Sequence, residues 1–164
     1  MPMPTHLLET QLLVATVYLG LDVEEEPLGS NLGYFVEEFQ EDAGCNPGDA
    51  WCMAFIYSCH VKACRMQRIK KPRLKRTGWC KGQWLYALDN LTVITVEDML
   101  NERKAPDGSV WIRYDGSGRG HTGFVYDHDV KHNVLKSIEG NASDKVRPVE
   151  YIISNIPNFK GVII

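Results

Sequence analysis

The chain has 164 residues, 44% of them hydrophobic and 24% charged, proportions of an ordinary globular domain that exclude a fibrous or wholly disordered polymer. Lys and Arg total 18 and Asp and Glu total 21, a net charge of -3, so nothing in the overall balance draws the protein to nucleic acid. The five cysteines, at 45, 52, 59, 64 and 80, include no Cys-x-x-Cys pair, which argues against zinc ribbons and leaves one thiol outside any internal disulfide framework.

In chain order, Thr5 is placed to cap a predicted helix over 7–19, where Leu8, Leu12, Ala15 and Leu19 recur at helical spacing. The apolar run 12–21 is far shorter than the roughly 20 residues of a membrane helix. It lacks a basic head, and Asp22-Val23-Glu24-Glu25-Glu26 follows it, so neither a membrane span nor a signal peptide is expected. A second helix is predicted over 32–43, with Phe35, Val36 and Phe39 on one side and Gly44 ending it. After Cys45-Asn46-Pro47-Gly48-Asp49, a third helix starts near Trp51-Cys52 and runs to about 65, burying Phe55, Ile56, Cys59 and Ala63. The segment 62–76 holds eight basic residues and no acidic one, a solvated run or a patch for an anionic polymer. A short helix around Trp84, Leu85 and Leu88 is predicted over 77–90. Past a mixed connection the period changes, and strands are predicted over 110–114, 121–126, 134–141, 148–153 and 160–164. Helices first and antiparallel strands afterwards predict one α+β domain over 1–164, its sheet packed on the third helix.

Cys52 differs from the other cysteines in standing at the first turn of a helix, where free amides and the helix dipole favour a thiolate. Cys59 and Cys64 lie within or at the end of that helix and read as core residues. A thiolate nucleophile needs a base that also protonates the leaving group, and that base needs an orienting partner. His121 opens a predicted strand directly after Gly116-Ser117-Gly118-Arg119-Gly120, and the next strand carries Ile138-Glu139-Gly140-Asn141. Residues two apart on a strand share a face, so Glu139 and Asn141 are both expected to aim at His121. His6, His60, His128 and His132 read as structural or surface residues, although Asp127-His128-Asp129 with His132 also has the composition of a metal site.

These residues resemble the CHAP domains of the NlpC/P60-type papain-like superfamily. Gly29-Ser30-Asn31 and Pro47-Gly48-Asp49-Ala50-Trp51-Cys52-Met53-Ala54-Phe55 are similar to the family's nucleophile region. Gly118-Arg119-Gly120-His121-Thr122-Gly123-Phe124-Val125 resembles its histidine strand, and Ile138-Glu139-Gly140-Asn141 its Glu-Gly-Asn strand, in family order over about 21–164. The resemblance implies a papain-like fold and hydrolysis of an amide bond in bacterial peptidoglycan, as an N-acetylmuramoyl-L-alanine amidase or a stem- or bridge-peptide endopeptidase. By the same resemblance Cys52 is the nucleophile, His121 the general base and then acid, and Glu139 and Asn141 its orienting groups. The Cys52 amide contributes to the oxyanion hole, and Trp51 and Gly120 are the expected substrate contacts. No cofactor or metal is implied, since the family's Asp-x-Asp calcium loop has no counterpart at Cys45-Asn46-Pro47-Gly48-Asp49. The expected setting is a monomer made in the cytoplasm that acts on the wall as a phage lysin or a delivered effector, with a holin or immunity protein encoded nearby. A papain-like peptidase or deamidase acting on protein, and a non-catalytic wall-binding module, are the competing readings.

Overall fold

Helical periodicity fills the first half of the chain and strand periodicity the second, and the computed structural model, which describes residues 2–164, keeps that division. Helices α1 (Thr5–Gly20), α2 (Tyr34–Ala43), α3 (Cys52–Met66) and α4 (Cys80–Asn90) come first. They are followed by β1 (Val93–Thr95), α5 (Val96–Leu100), β2 (Val110–Tyr114), β3 (Gly120–Asp129), β4 (Val134–Glu139), β5 (Arg147–Ile152), a 3-10 turn at Ile153–Asn155 and β6 (Phe159–Ile163). The strands form one six-stranded sheet in the order β1-β6-β2-β3-β4-β5, with every pairing antiparallel. The fold is therefore α+β. No helix among the described residues is long and apolar enough to cross a membrane.

The packing follows from α3. Its stripe Phe55, Ile56, Cys59 and Ala63 is fully buried. The Phe55 ring meets Phe39 of α2 at 5.3 Å and Phe124 of β3 at 6.2 Å, both edge-on. Removing such a ring costs roughly 3–5 kcal/mol in a packed core. Alternation along β2 and β3 covers both sheet faces: Val110, Ile112 and Phe124 face the helices, while Trp111 and Val125 join Met99, Leu135, Ile156 and Phe159 on the other side.

Several sequence expectations are corrected. The α1 cap is Pro4, whose carbonyl accepts from the Leu7 and Leu8 amides, and Thr5 lies inside the helix. The buried face of α1 is Leu7, Leu8, Gln11, Val14, Ala15 and Tyr18, because apolar residues nearly encircle this helix and leave its period ambiguous. Gln11 is buried because it is saturated: its amide donates to the Gly108 carbonyl at 2.7 Å and its oxygen meets His60 Nδ1 at 2.7 Å. In α4 only Trp84 of the expected trio is buried; Leu85 and Leu88 are exposed. The connection before β2 holds β1 and α5, too short to show a period, and α5 is announced only by the Thr95–Asp98 capping box. Strand β4 ends at Glu139, two residues short of the expected end.

Candidate active site

The start of α3 is built from a distance. Trp51, its N-cap residue, is fully buried and stacks on Phe39 at 5.9 Å. Its indole N–H donates to Glu25 Oε1 at 2.8 Å, and Glu25 Oε2 accepts the Asn31 amide at 2.9 Å. With no exposed surface, the Trp51 side chain anchors the helix and is not a substrate contact, correcting the expectation. Each carboxylate oxygen of buried Glu25 thus has a donor. Cys52 follows at the first helical position, with free amides ahead of it and its sulfur near the Met53 N–H.

His121 sits at the start of β3, opposite Arg113 of β2. Its Nε2 lies 2.7 Å from Glu139 Oε2 at the end of β4, which leaves Nδ1 as the ring nitrogen available to the Cys52 thiol. Glu139 is fully buried and fully engaged. Oε2 also accepts from the Tyr151 hydroxyl at 3.1 Å, and Oε1 accepts from the Ser137 hydroxyl. Gly123, two residues beyond His121 on the same face, makes this packing possible. A Cβ there would lie 2.6 Å from Trp111 Nε1 and 2.7 Å from Glu139 Cγ. The Trp111 ring in turn meets the His121 ring edge-on at 5.8 Å.

The electrostatics divide the charge between sulfur and ring. The Cys80 thiol, lying with its sulfur 3.9 Å from that of Cys52, holds the Cys52 thiol well below its ordinary range. The hydrogen bond and positive charge of His121 act in the same direction, all against burial. Burial pushes the His121 imidazole down, but hydrogen bonds and charge from Cys52 and Glu139 outweigh it and raise the ring to about 9. Both shifts favour a thiolate beside an imidazolium. Burial drives Cys59 and Cys64 the other way, as inert thiols.

Two clefts flank this centre. One, of about 330 Å³, is lined by Ala50, Cys52, Gly78, half-exposed Trp79, Cys80 and the loop Gly118–Gly120. The other, of about 370 Å³, lies on the Glu139 side and includes Arg113, His121, Asn141, Arg147 and Tyr151. A larger cavity of about 630 Å³ runs past Glu37, Glu38, Glu41 and Cys45 and touches neither Cys52 nor His121. Its only thiol, Cys45, is raised by burial.

No family model matches the chain, and neither a curated protein nor a solved structure matches it.

Of the expected residues, the structure brings Cys52, His121 and Glu139 together. It does not bring Asn141 to the ring. Because β4 ends at Glu139, Asn141 leaves the strand in the left-handed region at φ 56° and donates to Asn31 Oδ1 at 3.1 Å. Beyond the strand end Asn141 no longer shares the face of Glu139, and it ties the sheet end to the segment that holds Trp51. Gly120 lines the Cys52 cleft, its carbonyl 4.0 Å from the Cys52 sulfur. Asp127, His128, Asp129 and His132 do not converge. Buried His128 accepts the Ala105 amide, Asp127 pairs with Lys136, and Asp129 with His132. Among the described residues no group of His, Cys, Asp or Glu is arranged to hold a metal ion.

The sequence reading missed Cys80, Trp79, Ser137 and Tyr151. Ser137 was within reach of the two-residue strand period that selected Glu139. Tyr151 required knowing that it faces Leu135 across β4 and β5.

Proposed function

We propose that the protein is a papain-like cysteine hydrolase of the NlpC/P60 kind that cuts an amide bond of bacterial peptidoglycan. The observation that carries the hydrolase reading is the buried Glu139 carboxylate 2.7 Å from the His121 ring, whose charge in turn favours the thiolate of Cys52 at a helix start. The wall as substrate rests on the resemblance of the Cys52, His121 and Glu139 segments to the CHAP domains.

In this reading the Cys52 sulfur attacks the carbonyl carbon, and the carbon–oxygen π pair moves onto oxygen. The Cys52 amide, unpartnered within its helix, faces that oxyanion. His121 gives its proton to the departing nitrogen, the carbon–nitrogen bond breaks, and a thioester remains on Cys52. Neutral His121 then takes a proton from water as the water attacks the thioester. The carbon–sulfur bond breaks, the acid leaves, and the sulfur departs as thiolate beside the protonated ring, which restores the starting pair. Glu139 keeps the ring oriented and stabilises its positive charge throughout.

The test is release of soluble fragments from purified peptidoglycan, with the cut bond identified by mass. Cys52→Ala is expected to abolish release with the fold intact, and Cys52→Ser to come close, since a hydroxyl ionises far less readily than a thiol. Full release by Cys52→Ala overturns the mechanism. Cleavage or deamidation of a protein, with none of the wall, replaces the substrate while keeping the chemistry.

A further inference from the structure

We propose that Cys80 is a positioning residue for the nucleophile: its thiol donates an S–H hydrogen bond to the Cys52 sulfur and holds that sulfur as the anion. This rests on the reading of Cys52 as nucleophile and adds a residue to its machinery.

Two features of the geometry support this, and the electrostatics agree with them. First, α3 begins at Cys52 and α4 begins at Cys80, so two helix N-termini bring their first side chains to one point, with the sulfurs 3.9 Å apart. Both residues are buried, at 6% and 3% exposure, so water contributes little to that contact. Second, space for the contact is reserved on the opposite strand. A Cβ at Gly120 would lie 2.7 Å from Cys80 Cβ, so a side chain there would displace Cys80. Electrostatically, the partners of the two thiols differ. Cys52 has the His121 imidazole and the Met53 amide, both donors to an anion. Cys80 has its own amide and the Arg113 charge, but the hydrogen bond to Cys52 and then burial outweigh them and push its thiol up.

Two thiols at this distance share the work unequally. When Cys52 carries its proton, the Gly120 carbonyl at 4.0 Å is an acceptor for it. When Cys52 is ionised, it needs donors, and the Cys80 S–H is one that stays protonated over the working range. A second ionisation at Cys80 would put two like charges side by side in a buried site. The pair therefore ionises once, at Cys52.

The experiment follows alkylation of Cys52 by iodoacetamide between about pH 5 and pH 9, read by mass on the Cys52 peptide so that Cys80 is scored separately. Wild type, Cys80→Ala and Cys80→Ser are compared, with near-ultraviolet circular dichroism confirming the fold. Cys80→Ala is expected to move the midpoint up by about one pH unit, so that alkylation on the acid side of both midpoints slows by about tenfold. Cys80→Ser, which keeps a donor, is expected to stay close to wild type. A Cys80→Ala profile that superimposes on wild type overturns the inference, as does Cys80→Ser behaving like Cys80→Ala, which would indicate packing alone. The readout needs no wall substrate. Wild type with a depressed Cys52 midpoint but no release from peptidoglycan removes the substrate assignment and leaves the role of Cys80 standing.

Discussion

His121 Nε2 and Glu139 Oε2 stand 2.7 Å apart at the neighbouring ends of β3 and β4, and the carboxylate that holds the ring is itself held by Ser137 and Tyr151. A buried carboxylate accepting three hydrogen bonds has little freedom to turn, so the ring it orients is fixed as well.

The first expected outcome concerns the alkaline limit of the site. The thiolate–imidazolium form lasts until His121 loses its proton, at about 9. Glu139→Gln removes the charge behind the ring and is expected to bring that limit down by about one pH unit or more. Turnover should fall with it. The check is the pH profile of turnover beside that of Cys52 alkylation, and an unmoved alkaline limb would deny Glu139 its electrostatic role.

Asn141 should behave differently. Its φ of 56° makes Asn141→Gly the clean deletion, since glycine accepts the left-handed region without strain. Loss of the contact to Asn31 is expected to lower stability by about 1 kcal/mol while leaving the alkylation profile of Cys52 in place. Denaturant unfolding measures the first and alkylation the second. A shifted profile with unchanged stability would restore Asn141 as a partner of His121.

His60 is expected to make the fold acid-sensitive. Its Nδ1 meets Gln11 Oε1, and its Nε2 accepts the Arg73 amide at 2.9 Å, so the buried ring is neutral. Burial, then the positive charge of Arg73, lowers it from 6.5 to about 4. The unfolded chain takes up a proton near 6.5 and the folded one only near 4. Stability is therefore intact above 6.5 and declines as pH falls through that window, by up to about 3 kcal/mol. Thermal melts should show a steep wild-type decline from pH 6.5 to 4. His60→Gln should start lower and run flatter; parallel curves would deny His60 this part.

The basic segment 62–76 divides into pinned and free charges. Lys62 is paired with Glu38 and Asp42, and the Arg76 guanidinium donates to the carbonyls of Glu41 and Asp42 at the end of α2. Lys70, Lys71 and Lys75 are exposed. Changing these three to Gln is expected to reduce pelleting with whole walls at low salt, with little change in turnover of a small soluble substrate. The difference should shrink at salt above about 0.1 M, where screening acts within about 10 Å. Identical pelleting at every salt concentration would make the segment a connector only.

Much of this was legible from the chain. The helix start at Cys52, the strand opening at His121 and the Glu139 strand each depend on residues within a few positions, through capping, glycine loops and a two-residue period. The adjacency of β3 and β4 follows from their short connection, so the His121–Glu139 pair could be expected. Trp51 was misplaced because its burial depends on Glu25, a charged residue whose acceptance into the interior needs both Trp51 and Asn31 as donors. Asn141 was misplaced because the strand ends two residues early, where a left-handed residue turns the chain.

Cys80 had no local sign of its role. It lies 28 residues from Cys52, and the two sulfurs meet only because α3 and α4 start over the same end of β3, beside a glycine that leaves them room. Short-range order is written in neighbouring side chains and can be read there. A contact between two helix ends comes from the packing of every layer between them, and no local pattern carries it.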